Sequence, residues 1–187
     1  MRRIVLAAVM LAVLVGGSAT GAPQSERFLA NAMALGGVSG TARIEFTIEN
    51  WSTPEERAHL LQTLVDGGQE ALIEELRRLG GEREAGRVRV NTRLSYPIAY
   101  AFAIPTDDGG RRVVIATDRP IGALEAMGGA RTLEYAVSIA ELQLGPDNKG
   151  EGALMVAASV VADLENKTIS LENYGQAPVR LRSVRTE

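Results

Sequence analysis

At 187 residues, 45% of them apolar and 23% charged, the chain is long enough to bury a core and has the make-up of one globular domain. It contains no cysteine, which excludes disulfides, thiolate metal sites, a cysteine nucleophile and anchoring through a lipidated cysteine. The formal charge is −3, so nucleic acid is not an expected partner, because phosphate binding depends on an excess of clustered positive charge.

Met1-Arg2-Arg3, the uncharged run Ile4 to Val15 and the small residues from Gly16 to Ala22 have the three-part layout of a secretory signal peptide. Cleavage is expected after Ala19, with Ala22 as the alternative. Losing Arg2 and Arg3 takes the balance of 20 basic and 23 acidic residues to about −5. The apolar run is short for a membrane span, and no later segment is apolar enough to make one. The expected protein is therefore secreted or periplasmic, with residues 1–19 removed and no transmembrane span in the mature chain. Residues 20–40 read as a linker, in which Phe28, Leu29, Ala32 and Met33 can form a short amphipathic helix after Ser25 before Gly36-Gly37 stops it.

A single domain is expected from residue 41 to 187. Ile44, Phe46 and Ile48 alternate with Arg43, Glu45 and Thr47 as a half-buried strand. Thr53-Pro54-Glu55-Glu56 then supplies a cap, a proline at the first helical position and the return partner of a capping box. Leu60, Leu61, Leu64 and Val65 make one apolar stripe, and Leu72, Ile73, Leu76 and Leu79 make another. With Asp66-Gly67-Gly68 between them, the two should form an antiparallel helix hairpin over 54–79 that covers one side of the sheet. Trp51 should pack beneath it; a ligand-stacking role is the alternative.

From Gly86 the pattern returns to strands. Val88 and Val90 alternate with Arg87 and Arg89, and Tyr96, Ile98, Tyr100, Phe102 and Ile104 read as one side of a strand whose other side is alanine. Asp107-Asp108-Gly109-Gly110 is a hairpin turn into Val113-Val114-Ile115-Ala116. Leu133, Tyr135, Val137 and Ile139 then alternate up to the cluster Gly145 to Gly150, and Leu154, Val156, Ala158 and Val160 resume the alternation after it. A turn centred between Asp147 and Asn148 would put Tyr135 beside Val160, Val137 beside Ala158 and Ile139 beside Val156. Beyond Ile139 the apolar positions become Leu142 and Leu144, which predicts a bulge near Ala140 or Glu141. A tight turn at Glu165-Asn166-Lys167 leads into residues 168–172, and Pro178 to Val184 is the last strand. The expected fold class is α+β: a curved, mostly antiparallel sheet or open barrel of about eight strands with the inserted helix hairpin.

Ile48-Glu49-Asn50-Trp51-Ser52-Thr53 with Glu55-Glu56-Arg57, Ala116-Thr117-Asp118-Arg119-Pro120-Ile121, and Asn166-Lys167-Thr168-Ile169 leading to Leu171-Glu172-Asn173-Tyr174 resemble a group of secreted bacterial proteins with no assigned activity. The resemblance implies bacterial export and says nothing of mechanism.

Catalytic chemistry has little to stand on. His59 is the only histidine and lies off the leucine stripe; Gly37-Val38-Ser39-Gly40 lacks the glycine that a nucleophile elbow needs two places after the serine. Asp147, Asn148 and Glu151 resemble a fragment of a calcium loop and Asp107-Asp108 is a second acidic turn, but neither supplies six oxygens. No metal, cofactor or catalytic residue is assigned. The candidate ligand-binding residues fall in two sets. Arg87 with Arg89, and Arg180 with Arg182, stand on alternate strand positions and can frame an anionic group, although charged edge protection explains them as well. Trp51, Tyr96, Tyr100, Phe102 and Tyr135 can line an apolar cavity inside a curved sheet, a filled core being the plainer outcome. The favoured reading is an exported non-catalytic binding or envelope-associated module for a small apolar, amphipathic or anionic ligand. A carboxylate- or metal-dependent hydrolase and a scaffold acting through a sheet edge are the alternatives, with no protein partner named.

Overall fold

The computed structural model describes residues 25–33, 41–91, 94–121, 137–155, 159–163, 168–172 and 178–187, the two segments 159–163 and 168–172 by backbone alone. The residues read as a signal peptide, Tyr135, Val156 and Ala158 lie outside the described residues; of the far arms of the expected long hairpin residues 159–163 are described, and there Val160 pairs with Leu171. The elements run β1 (Glu26–Met33), β2 (Thr41–Ile48), α1 (Pro54–Glu82), β3 (Gly86–Val90), β4 (Leu94–Ile98), β5 (Tyr100–Pro105) and β6 (Arg111–Ala116). They continue as β7 (Ile139–Leu144), β8 (Lys149–Met155), β9 (Ser159–Asp163), β10 (Thr168–Glu172) and β11 (Val179–Thr186).

Nine strands form one antiparallel sheet in the order β4-β3-β2-β1-β11-β8-β7-β6-β5, and β9 pairs with β10 in a second, two-stranded sheet. The outermost strands, β4 and β5, are neighbours in the chain with only Ala99 between them. Residues 94–105 therefore pair with β3 through their first half and with β6 through their second, which wraps the sheet into a nearly closed α+β barrel. The Ala85 amide donates to the Ile98 carbonyl at 2.8 Å and the Ala99 amide to that of Ala116 at 2.9 Å, one bond on each side of the handover. Ser52 bonds the outer edge of β5 at Ala101, donating its amide to Ala101 O at 2.8 Å and accepting from the Ala101 amide on its hydroxyl at 3.3 Å.

Residues 26–33 are a strand rather than the expected helix in a linker. Phe28, Ala30 and Ala32 alternate inward, and β1 is paired along its length with β2 on one side and β11 on the other, so sheet hydrogen bonds on both edges override a weak local helical pattern. Alternation also places Ile44 and Phe46 of β2, Val88 of β3, Val113 and Ile115 of β6, and Leu142 of β7 in this interior, which is filled with side chains. At one end Arg111 crosses from β6 to β1, donating Nη1–H to Glu26 Oε1 at 3.0 Å, 2.8 Å from Oε2, and Nη2–H to Asn148 Oδ1 at 3.0 Å. Its guanidinium lies 5.6 Å above the Phe28 ring and caps the core there.

The helix hairpin forms as expected. Thr53 accepts from the Glu56 amide while Glu56 accepts from the Thr53 amide, and Gly68, at φ 71° and ψ −165°, breaks α1 between two arms. His59 Nε2 stands 3.0 Å from Glu75 Oε1 and Arg83 Nη2 2.8 Å from Glu56 Oε1, so the second arm folds back along the first. The second arm runs on through Gly80-Gly81 to Glu82, past the expected stop. Arg78, hydrogen-bonded to Glu75, holds that carboxyl below its ordinary range, with His59 assisting. The stability this contributes is present above the ordinary glutamate pKa and is lost as pH falls through the lowered folded value. In urea titrations, Glu75→Gln should flatten the acid-side dependence of the midpoint below about pH 4.5 and leave its dependence near neutrality unchanged.

The β7–β8 hairpin is one residue out of the expected register: Ile139 faces Met155, and Leu144 faces Gly150. Its turn has Asn148 at φ 57° with the Asn148 amide bonded to Gly145 O at 2.9 Å, a three-residue loop centred on Asp147. The ladder runs without interruption through Ala140 and Glu141, so the expected bulge is absent from this pair. Both faces of β7 are buried at its start instead, and the outer face opens through Glu141 to exposed Gln143. Ala140, Leu142 and Leu144 fill the barrel, while Ile139 packs under α1, which is why the apolar phase changes along the strand.

Candidate functional site

The helix hairpin lies over the outer face of β5, β6 and β7. Leu60, Leu72 and Leu76 of α1 meet Val114 and Ala116 of β6 and Ile139 of β7 to form a second core, separate from the barrel interior. Between these layers is a slot of about 80 Å³ whose walls are largely those residues. The slot has room for the end of a small apolar group only, being well below the several hundred cubic ångströms of a whole-ligand cavity.

Four polar side chains stand at the slot. Arg57 is one helical turn before Leu60 and Leu61, and its guanidinium lies 5.4 Å from the centre of the Phe102 ring. Arg112, two positions before Val114 on β6, is 3.9 Å from Glu141, too far for a tight ion pair. Tyr100 is 7% exposed and stacks on Phe102 at 6.4 Å. Burial pushes its phenol above the ordinary range, Arg57 opposing and Glu56 adding to the effect, so it stays a neutral hydrogen-bond donor at physiological pH. The arrangement is an apolar recess with two guanidiniums, one phenol and the Glu141 carboxylate at its mouth, and the excess of guanidinium suits it to a small amphipathic anion.

The aromatic residues expected to line one interior cavity are divided by the fold. Tyr96 packs on the barrel core and Ile98 within it, while Tyr100 and Phe102 lie on the opposite face, beneath α1. The chain changes phase at Ala99, where β4 hands over to β5, so alanines 101 and 103 point inward and the large residues outward. Trp51 is also a barrel residue. It meets Phe28 edge-on at 6.4 Å and an interplanar angle of 87°, not beneath the helix pair. Arg87, Arg89, Arg180 and Arg182 stand exposed on the outer wall, on the far side of the barrel from the slot.

The two acidic turns do come together, since the hairpin tips 106–110 and 145–149 border one open groove. Asp108 accepts from the Thr106 hydroxyl at 2.6 Å and from the Gly110 amide at 3.0 Å, which lower its pKa, and Asp147 accepts from the Lys149 amide at 3.2 Å. Those bonds are turn chemistry. Among the described residues no three His, Asp or Glu side chains are grouped so as to hold a metal ion. His59 is exposed and paired with Glu75.

Arg57 and Arg112 were missed from the sequence. Helical spacing set Arg57 over the leucine stripe and strand alternation set Arg112 with Val114, but both signals pointed to a face that only the fold shows to be covered. Comparisons with protein-family models, curated proteins and solved structures find no match.

Proposed function

We propose that the protein is a non-catalytic binding module that takes a small amphipathic carboxylate, its apolar tail in the slot beneath α1 and its anionic head at Arg57 and Arg112. The observation that carries this reading is the pair of guanidiniums at the mouth of an apolar recess, neither committed to a close carboxylate among the described residues. A hydrolase reading finds less support. The described carboxylates with a resolved shift, Glu55, Glu75 and Asp108, are all lowered, whereas a general acid at neutral pH needs a raised one. A scaffold acting through a sheet edge is likewise less favoured, because the last strand, β11, is flanked by β1 and β8, and β5 is bonded to Ser52 at Ala101.

Hexanoate is the probe, with acetate lacking the tail and hexanol lacking the charge. Hexanoate should shift the methyl resonances of Leu60, Leu72 and Val114 in NMR titrations, and both controls should bind at least about tenfold more weakly, each having lost roughly 1.4 kcal/mol or more. Arg112→Gln should weaken hexanoate about tenfold and leave hexanol unchanged. Shifts scattered over the surface, or equal affinity for hexanol and hexanoate, would reject the site.

A further inference from the structure

Protection of a sheet edge is an ordinary reason for paired strand arginines. The fold removes it here, because β3 is flanked by β2 and β4, and β11 by β1 and β8. These arginines stand on an interior part of the sheet's outer wall and need another account.

Across β3, β2, β1 and β11 the wall carries seven arginines: Arg87 and Arg89, Arg43, Arg27, and Arg180, Arg182 and Arg185. The same strands hold two carboxylates, and one of them, Glu26, is turned to Arg111 at the barrel end. Register arranges the arginines in rows. Glu45 lies between Arg89 and Leu29, with Arg185 next and Lys149 beyond it. Arg43, Asn31 and Arg182 make the next row, and Met33 separates Thr41 from Arg180 in the last. The last row contains no carboxylate, and the Arg182 row meets one only on β8, where exposed Glu151 lies between Gly150 and Gly152. Among the described residues, Arg43, Arg89, Arg180, Arg182 and Arg185 have no ion-pair partner. The helix hairpin, over the opposite wall, holds seven carboxylates against three arginines. The molecule thus has a basic and an acidic pole although its net charge is −3.

We propose that the arginine wall docks on an anionic lipid membrane. A protein partner would want an aromatic or apolar centre, and the exposed large apolar residue of these four strands is Met33 alone, at 36%. Single-stranded nucleic acid would want aromatic stacking platforms in a groove, and the wall is a convex arginine surface with neither. A plane of phosphate headgroups needs no such features. It attracts each arginine near it, and guanidinium forks engage phosphate oxygens in pairs. Long side chains reach the plane from a curved wall, and the acidic pole turns the helix hairpin and its slot away from the lipid.

The test is sedimentation of the unaltered chain with phosphatidylcholine vesicles, with and without phosphatidylglycerol. Binding should require phosphatidylglycerol and should fall steeply between 0.01 and 0.15 M salt, as the screening length shortens from about 30 to about 8 Å. Each arginine removed from the wall should cost roughly fivefold, so Arg43→Gln with Arg182→Gln should weaken binding about twentyfold, while Arg77→Gln on the helix hairpin changes nothing. Equal sedimentation with neutral vesicles overturns the proposal, as does an effect of Arg77→Gln matching that of the wall pair. Tighter binding of a DNA fragment than of the vesicles at the same salt also overturns it, in favour of nucleic acid.

Discussion

Phe28→Ala should lower the unfolding free energy by about 4 kcal/mol and the thermal midpoint by roughly 10 °C. The side chain is completely buried on β1, a strand paired on both sides, and it touches the two groups that close the barrel end: Trp51 edge-on and Arg111 from above. Removing the ring leaves a cavity that an antiparallel ladder on either side cannot collapse to fill, and it withdraws the π-face under the guanidinium. Urea unfolding should show the loss with an unchanged slope. A change below about 1 kcal/mol would mean that this end of the barrel is loosely packed.

Gly150→Ala should be comparably damaging, for a different reason. Gly150 lies on β8 opposite Leu144, and a methyl group there would fall on the carbonyl oxygen of Gln143, with Leu144 Cα 3.2 Å away. The obstruction is backbone, so no rotamer change relieves it, and the β7–β8 ladder must part or twist; a loss of about 3 kcal/mol or more is expected. Gly81→Ala is the control within the same urea series. A methyl group there meets nothing within 4 Å, so in the last turn of α1 it should be neutral or stabilising by up to about 1 kcal/mol. Equal losses at the two positions would show that glycine content, and not the approach of β7 to β8, limits stability.

The parts of the fold legible in the sequence are those set by local chemistry. Thr53-Pro54-Glu55-Glu56 starts the helix, the glycines at 67 and 68 turn it, and the Asp107-Asp108-Gly109 turn makes its hairpin, each where the residues said it would. Errors arose where a reading needed to know what covers each face. In β7, a phase change from Ile139 to Leu142 is the same string of letters whether a bulge turns the strand or a helix buries its second face. Likewise, Tyr96, Ile98, Tyr100 and Phe102 read as one stripe because alternation carries no record of the bend at Ala99. β1 is hidden from such a reading because its two neighbours are remote in sequence or lie beyond a glycine-rich stretch, so the support that makes it a strand is not local. The slot depended on the first two, and its two arginines could not be singled out from the rest.

The fastening of Ser52 to Ala101 reaches beyond the edge it fills. Residues 94–105 change neighbours at Ala99, so the wall has a seam there that no third strand overlaps, and the clasp on that seam belongs to Ser52, two residues before α1 begins. Pulling the clasp open would swing the first helical arm off Tyr100 in the same movement. The approach to the recess and the closing strand of the cylinder therefore share one attachment, at Ser52.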